Sequence, residues 1–179
     1  IVTSMFMHGG WMHIIMNLWF LYIFGDNVED ALGRVRYPIF YLLCGVGAAV
    51  AQYTIDPAST VPMVGASGAI AGVIGAYLVF YPRARVVTLL PIFVFLQIIE
   101  LPAFLYILLF FVADNLLRGI GSLASHAQGG VAFWAHLGGF AAGMILGPLT
   151  RRRDQPLLDP KDYVRPPRRY GYRDSRHPW

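Results

Sequence analysis

Apolar residues along this chain come in long blocks rather than at an amphipathic spacing. Five blocks stand out, residues 7–24, 37–55, 64–81, 86–112 and 131–149, each 18 to 27 residues long. A helix of that length crosses a hydrocarbon layer about 30 Å thick. Lipid offers backbone N–H and C=O groups no partner, so each block must close its hydrogen bonds internally as a helix. Between the blocks lie GDNVEDALGRVR, DPASTVP, the short PRAR and ADNLLRGIGSLASHAQGG, and the chain ends in RRRDQPLLDPKDYVRPPRRYGYRDSRHPW. The expected fold class is all-α, a polytopic membrane helical bundle with five transmembrane helices over residues 1–150. A basic, proline-rich and disordered cytoplasmic tail, 151–179, is expected to follow.

Charge sets the orientation. The first and third connections carry Arg34, Arg36, Arg83 and Arg85 and the tail opens with Arg151, Arg152 and Arg153, whereas the other two connections hold only Arg118. Arginine-rich sides face the cytoplasm, so the helices starting near Met7, Val64 and Val131 enter from the outside. Composition agrees: 56% of residues are hydrophobic and 13% charged, where a soluble domain carries roughly a quarter charged. The net charge of +4 would point to nucleic acid in a soluble protein, but nine of the fourteen basic residues fall in the last 29 positions. No nucleic-acid partner is expected; the bilayer is the partner, and the tail chiefly fixes topology. The expected setting is a prokaryotic cell (inner) membrane. Cys44, the single cysteine, sits in an apolar block and is expected to be a small core residue. The chain opens on Ile1, and residues 1–7 lack the basic flank and cleavage site of a signal peptide, so an upstream portion is expected.

A polar residue inside a span is a functional-site hypothesis by default. His13 and Asn17, four apart, share one face of the first helix. Ser67 opens the third helix and His136 lies about one turn into the fifth. All three helices enter from the outer side, so these groups share a depth and can converge on one cavity. A serine hydroxyl becomes a nucleophile when a neighbouring base takes its proton, and neutral imidazole suits that task. Ser67 is the candidate nucleophile and His136 the candidate base. The first turn of a helix presents unpaired N–H groups and a positive dipole end to an oxyanion, and His13 and Asn17 can add donors. Asp56 and Asp114 fall in connections and Glu100 within the fourth helix, so no carboxylate orients His136 and a dyad is expected rather than a triad. No metal and no cofactor are expected. His8 is expected to support the loop or His13 by hydrogen bonding, while His126 and His177 are assigned no chemistry. Trp11, Trp19, Tyr22 and Trp134 read as packing and interfacial anchors.

Each feature has a plainer reading. Gly68 and Gly72 form a small-xxx-small surface on which helices approach closely, and a membrane histidine can simply be a hydrogen-bonded bundle residue. The common depth of four such groups favours chemistry.

At these residues the sequence resembles the rhomboid intramembrane serine proteases, through SMFMHGGWMHIIMN, FGDNVEDALGRVR, GASGAIAG, ELPA and AFWAHLGGFAAG in family order. The resemblance implies Ser67 as nucleophile, His136 as base, and His13, Asn17 and the Ser67 N–H as oxyanion hole, acting on transmembrane protein substrates. It also implies that Gly139 packs against the serine helix. Family cores usually have six spans, and the first helix and most of the loop after it have no counterpart here. Some members place an aromatic four residues after the serine to stack on the base, where this chain has Ala71. By analogy, the outer half of the fourth helix, around Leu101 to Phe111, is expected to move aside for substrate, aided by Pro91 and Pro102. Two other classes remain: a non-catalytic rhomboid-like protein that binds membrane clients, and a channel or transporter, for which Glu100 is the only intramembrane charge. Oligomeric state is not legible in the sequence.

Overall fold

The computed structural model describes residues 2–58, 63–92, 95–125, 133–153 and 157. His126, His177 and nearly all of the tail lie outside these residues. After a 3-10 turn at Thr3–Phe6 come α1 (Trp11–Leu32), α2 (Arg36–Ile55) and α3 (Ser67–Phe80). A hairpin of β1 (Arg85–Ile92) and β2 (Phe95–Pro102) follows. The chain then runs through α4 (Ala103–Tyr106), a π-helical stretch (Ile107–Ala113) and α5 (Asp114–Ser125), and on to α6 (Phe133–Thr150).

The bundle is organised around α3, which is buried at every position from Gly68 to Tyr77. It can be enclosed because its faces are small. A Cβ on Gly139 would run into the carbonyl oxygen of Gly68, one on Gly143 into that of Gly72, and one on Gly75 into that of Phe140. Gly147 continues the row, where a Cβ would come within 2.9 Å of Ala76. The partners 68–139, 72–143 and 76–147 advance together, so α3 and α6 run parallel with their backbones in contact. Helix α2 closes the other side in the opposite direction, with Ala48 over Gly68, Cys44 over Gly72 and Ala51 over Gly138. Cys44 is fully buried there, as a small core residue should be.

Large apolar side chains point the other way. Trp11, Ile15, Trp19 and Tyr22 on α1, Ile39, Leu43 and Val50 on α2, Leu108, Leu109 and Leu117 between the π-helical stretch and α5, and Ile145 and Leu149 on α6 are all exposed. Phe24, Leu32, Phe40 and Ile107 are buried in the core, but close small-residue contacts between helices together with many large apolar residues outside is the arrangement expected where the surroundings are lipid. By length and apolarity, Arg36–Ile55 and Ala103–Gly121 are each able to cross a membrane, while Ser67–Phe80 is shorter.

The described residues are mostly helical, in keeping with the expected bundle, but the block 86–112 is not one helix. Its first part forms the antiparallel hairpin, from Arg85 opposite Pro102 to Ile92 opposite Phe95. The local chemistry explains this: Val86, Val87 and Thr88 are β-branched, Pro91 and Pro102 each lack the N–H a helix needs, and burial alternates, with Val86 and Thr88 buried and Val87 and Leu89 exposed. The hairpin base is welded to the helix that follows, because Ala103 N–H donates to Ala84 O at 2.7 Å and Phe104 N–H to Pro82 O at 2.9 Å. These bonds satisfy donors that a helix start leaves open. Glu100 consequently lies on β2, exposed and paired with Arg85 at 2.8 Å, not inside a helix. The fourth helix of the bundle spans 103–125 and runs antiparallel to α6, with Phe111 against Phe140 and Gly119 against Trp134. Leu101 and Pro102 thus belong to the hairpin beside the end of α3 remote from Ser67, and cannot be the outer half of that helix. Asp114, expected in a connection, opens α5 and holds Arg118 at 2.7 Å.

At the end of α1 the chain turns through Gly33 at φ +85, a left-handed conformation that favours glycine. Arg152 N–H donates to Ala31 O at 3.0 Å, and Arg36 reaches Thr150 O at 3.2 Å, so the ends of α1 and α6 and the start of α2 are tied together.

Replacing Gly143 with Val should force α3 and α6 apart, cost at least the ~1–3 kcal/mol of stability typical of overpacking, and lower the thermal midpoint in detergent. Gly121→Ala, where no described atom lies within 4 Å of the added methyl, should leave it unchanged or raise it slightly. Equal midpoints for the two variants would contradict the backbone contact.

Candidate active site

The site is assembled at the end of the bundle where α3 begins. Gly65, at φ +112, turns the chain so that Ser67 becomes the first residue of α3, and its N–H donates to Ser4 O at 2.9 Å, fixing the turn against the start of the chain. Ser67 is half-buried, with its hydroxyl at the helix entrance. Helix α6 enters beside it: Ala135 N–H donates to Gln52 Oε1 at 3.2 Å, capping the first turn of α6 from α2. The parallel glycine contact then leaves His136 facing Ser67, with Nε2 2.8 Å from Ser67 Oγ. Gly139 lies against Gly68, as the resemblance implied.

His13 and Asn17 reach the same place from α1. The His13 ring lies over Gly65 so closely that a Cβ there would be 2.7 Å from its Nε2 and Cε1, and 3.8 Å from Asn17 Nδ2. Any residue but glycine at position 65 would therefore occupy the space these two side chains face, besides being strained. Gly9 N–H donates to His13 Nδ1 at 3.3 Å, which puts the proton of the neutral ring on Nε2, toward Gly65. His8 meets that ring edge-on, centroids 5.2 Å apart, so the hydrogen bond expected from His8 comes from the Gly9 backbone. Asn17 is buried, and its Nδ2 has no hydrogen-bond partner among the described residues. A buried amide costs free energy unless it is bonded, so an empty donor of this kind is a place prepared for an acceptor. The four residues singled out from the sequence, Ser67, His136, His13 and Asn17, thus line one space.

Sequence reasoning missed one polar neighbour. Asn115 on α5 is buried, with Oδ1 2.7 Å from His136 Nδ1 and Nδ2 donating to Phe111 O at 2.8 Å. It sits in ADNLLRG, which read as a connection; the signal that could have found it is the period of the flanking apolar residues, since α5 has strongly one-sided character. Phe111 itself faces the imidazole, ring centroids 6.3 Å apart and planes at 35°. The aromatic that some relatives would supply four residues after the serine is absent, Ala71 being a buried methyl, and a different helix provides one. Trp134 packs on Gly119, and Trp11, Trp19 and Tyr22 are exposed. Asp56 is exposed at the end of α2.

A family model described as the Rhomboid domain matches residues 1–153. RHOMBOID-like protein 6, mitochondrial, of Arabidopsis thaliana is 30% identical over 147 residues, covering 82% of this chain and 42% of the relative. RHOMBOID-like protein 5 of the same plant is 28% identical over 178 residues, 99% of this chain and 52% of the relative. Presenilin-associated rhomboid-like protein, mitochondrial, of Bos taurus is 30% identical over 151 residues, 80% of this chain and 36% of the relative. The chain spans about a third to a half of the length of these relatives. They are eukaryotic, and two are named mitochondrial, so they lend no support to the expected prokaryotic membrane. A domain match over nearly all the described residues, on a helical bundle with its large apolar side chains outward, establishes that this chain belongs to the rhomboid family and is an integral membrane protein.

Proposed function

We propose that this protein is an intramembrane serine endopeptidase that cleaves transmembrane protein substrates near the outer membrane face. The observation that carries this reading is the 2.8 Å approach of His136 Nε2 to Ser67 Oγ, from two helices whose backbones are locked together. In the reaction, Ser67 Oγ attacks the scissile carbonyl carbon while His136 Nε2 takes the hydroxyl proton. The oxyanion that forms is met by the Ser67 N–H, His13 Nε2–H and Asn17 Nδ2, donors held in place before substrate arrives. As the C–N bond breaks, the proton on His136 passes to the leaving amine. Water then attacks the acyl-serine ester, again giving its proton to His136, and Ser67 recovers its hydrogen as the acid product leaves.

The proposal includes five spans: α1, α2, α3, the continuous helix 103–125, and α6. Helices α1, α3 and α6 run in one direction and the other two in the opposite one, which is the alternation a five-span chain requires. With arginines at residues 83, 85 and 151–153, the hairpin end is cytoplasmic and the Ser67 end is outer. A non-catalytic client-binding protein would have no use for a buried Asn17 Nδ2 that lacks a partner among the described residues beside a hydrogen-bonded Ser–His pair, so that reading ranks second.

Membranes containing the protein should be labelled at Ser67 by a fluorophosphonate, and both Ser67→Ala and His136→Ala should abolish labelling and cleavage of a single-span reporter. His13→Ala and Asn17→Ala should slow cleavage by ~10²- to 10³-fold while slow labelling at Ser67 persists. A wild-type protein that binds the reporter without cutting it or reacting would move the conclusion to client binding.

Topology has its own test. In a Cys44→Ala background, cysteines introduced at Asp56 and at Arg83 should react with an impermeant maleimide from opposite sides of the membrane. Reaction from the same side would contradict the five-span arrangement.

A further inference from the structure

We propose that Asn115 is the positioning residue of the base, so that the working unit is Ser67–His136–Asn115 rather than an isolated pair. The inference deepens the reading of this site as a serine peptidase and rests on it.

The argument begins at a backbone carbonyl. An amide side chain has a donor end and an acceptor end, and which end faces which neighbour must be settled by the partners. Phe111 O, 2.8 Å from Asn115 Nδ2, can only accept. The NH₂ group is therefore committed to Phe111, and Oδ1 is the atom turned to His136. An oxygen acceptor 2.7 Å from Nδ1 requires that Nδ1 carry the ring proton. The lone pair of the neutral imidazole is then on Nε2, where Ser67 Oγ lies at 2.8 Å. Phe111 O, one turn back on the same helix, thus dictates through two hydrogen bonds which imidazole nitrogen is free to accept the serine proton.

Energetics separate this role from filler. Asn115 is only 7% exposed, on a helix whose neighbouring positions Leu116 and Leu117 are apolar, and a leucine there would be cheaper to bury. Both ends of the amide are used, one on its own helix and one on α6. An amide also differs from the carboxylate usual in triads. It holds the ring and accepts from the imidazolium as well as from the neutral imidazole, but it adds no buried negative charge. Asparagine fills the same place in the Cys–His–Asn arrangement of papain-like proteases.

Three variants and one spectrum decide it. Asn115→Leu should lower kcat on a single-span reporter by up to about 10⁴-fold, the loss that a wrong tautomer causes, with KM within about threefold and slower fluorophosphonate labelling. Asn115→Asp keeps an oxygen acceptor for Nδ1 but loses the donor to Phe111 O, and should restore at least a tenth of wild-type kcat. A residue that merely stabilises α5 would give the opposite order, because Asp places a carboxylate against a carbonyl whereas Leu packs. Asp as inactive as Leu, or Leu with wild-type kcat per folded molecule, overturns the proposal. Nitrogen-15 spectra of histidine-labelled protein, compared with His136→Ala to assign the signal, should show His136 as the Nδ1–H tautomer, and Asn115→Leu should lose that bias. This readout needs neither turnover nor wild-type stability. If the wild type fails to label while the spectrum behaves as stated, the peptidase reading falls and the positioning role stands; a His136 tautomer indifferent to Asn115 removes the role itself.

Discussion

Everything at the serine depends on how closely two backbones approach. Gly68 and Gly72 on α3 meet Gly139 and Gly143 on α6 with no room for a methyl on the α6 side. That contact fixes the separation, the parallel direction and the register of the two helices at once. Register matters most, because Ser67 and His136 are each one residue from a helix entrance or within its first turn, and a slip of one residue would rotate either side chain by about 100°. In water a hydrophobic core could tolerate looser fitting. In lipid, where apolar burial does not favour one helix pairing over another, close van der Waals fit is what selects the register.

The same constraint explains the rest of the architecture. A helix enclosed on all sides can be short, so α3 needs only 14 residues, and its neighbours carry the large apolar side chains that face outward. Ends of helices where backbone groups come free are tied to one another: Gln52 to the start of α6, Arg36 to its end, and Ala84 and Pro82 to the start of α4. The hairpin gives the chain a way to leave α3 and re-enter as the fourth helix with its hydrogen bonds paired in the interval.

The bundle was legible because small-residue spacing and block hydrophobicity are local signals. Ser67, His136, His13 and Asn17 could be picked out because polar side chains in apolar blocks are costly and therefore conspicuous. Asn115 was not conspicuous, because it stands among Asp114, Arg118 and glycines and looks like part of a polar connection; only tertiary packing buries it. The hairpin was hidden for the converse reason. A long, mostly apolar run from Val86 to Val112 has no clear periodicity to tell strand from helix; Pro91 and Pro102 fit a mobile helix as well as a strand, and the β-branched cluster carries no weight in that reading. Length alone favoured the helix, whereas β1 and β2, each 8 residues, take up the run only as far as Pro102 and the helix that follows takes the rest.

His136 is supported from two sides that differ in firmness. Helix α6 is locked to α3 by backbone contact, so the distance from Nε2 to Ser67 Oγ is a property of the bundle core. The ring's orientation is set instead by Phe111 and Asn115, on a helix whose outward side chains Leu108, Leu109, Phe110, Leu116 and Leu117 are exposed. A helix held mainly along one face is easier to displace than one interlocked by glycines. Moving it would leave the serine and the base at hydrogen-bonding distance but release the imidazole from the acceptor that keeps its Nε2 free. Proximity and proton placement are thus written into different helices.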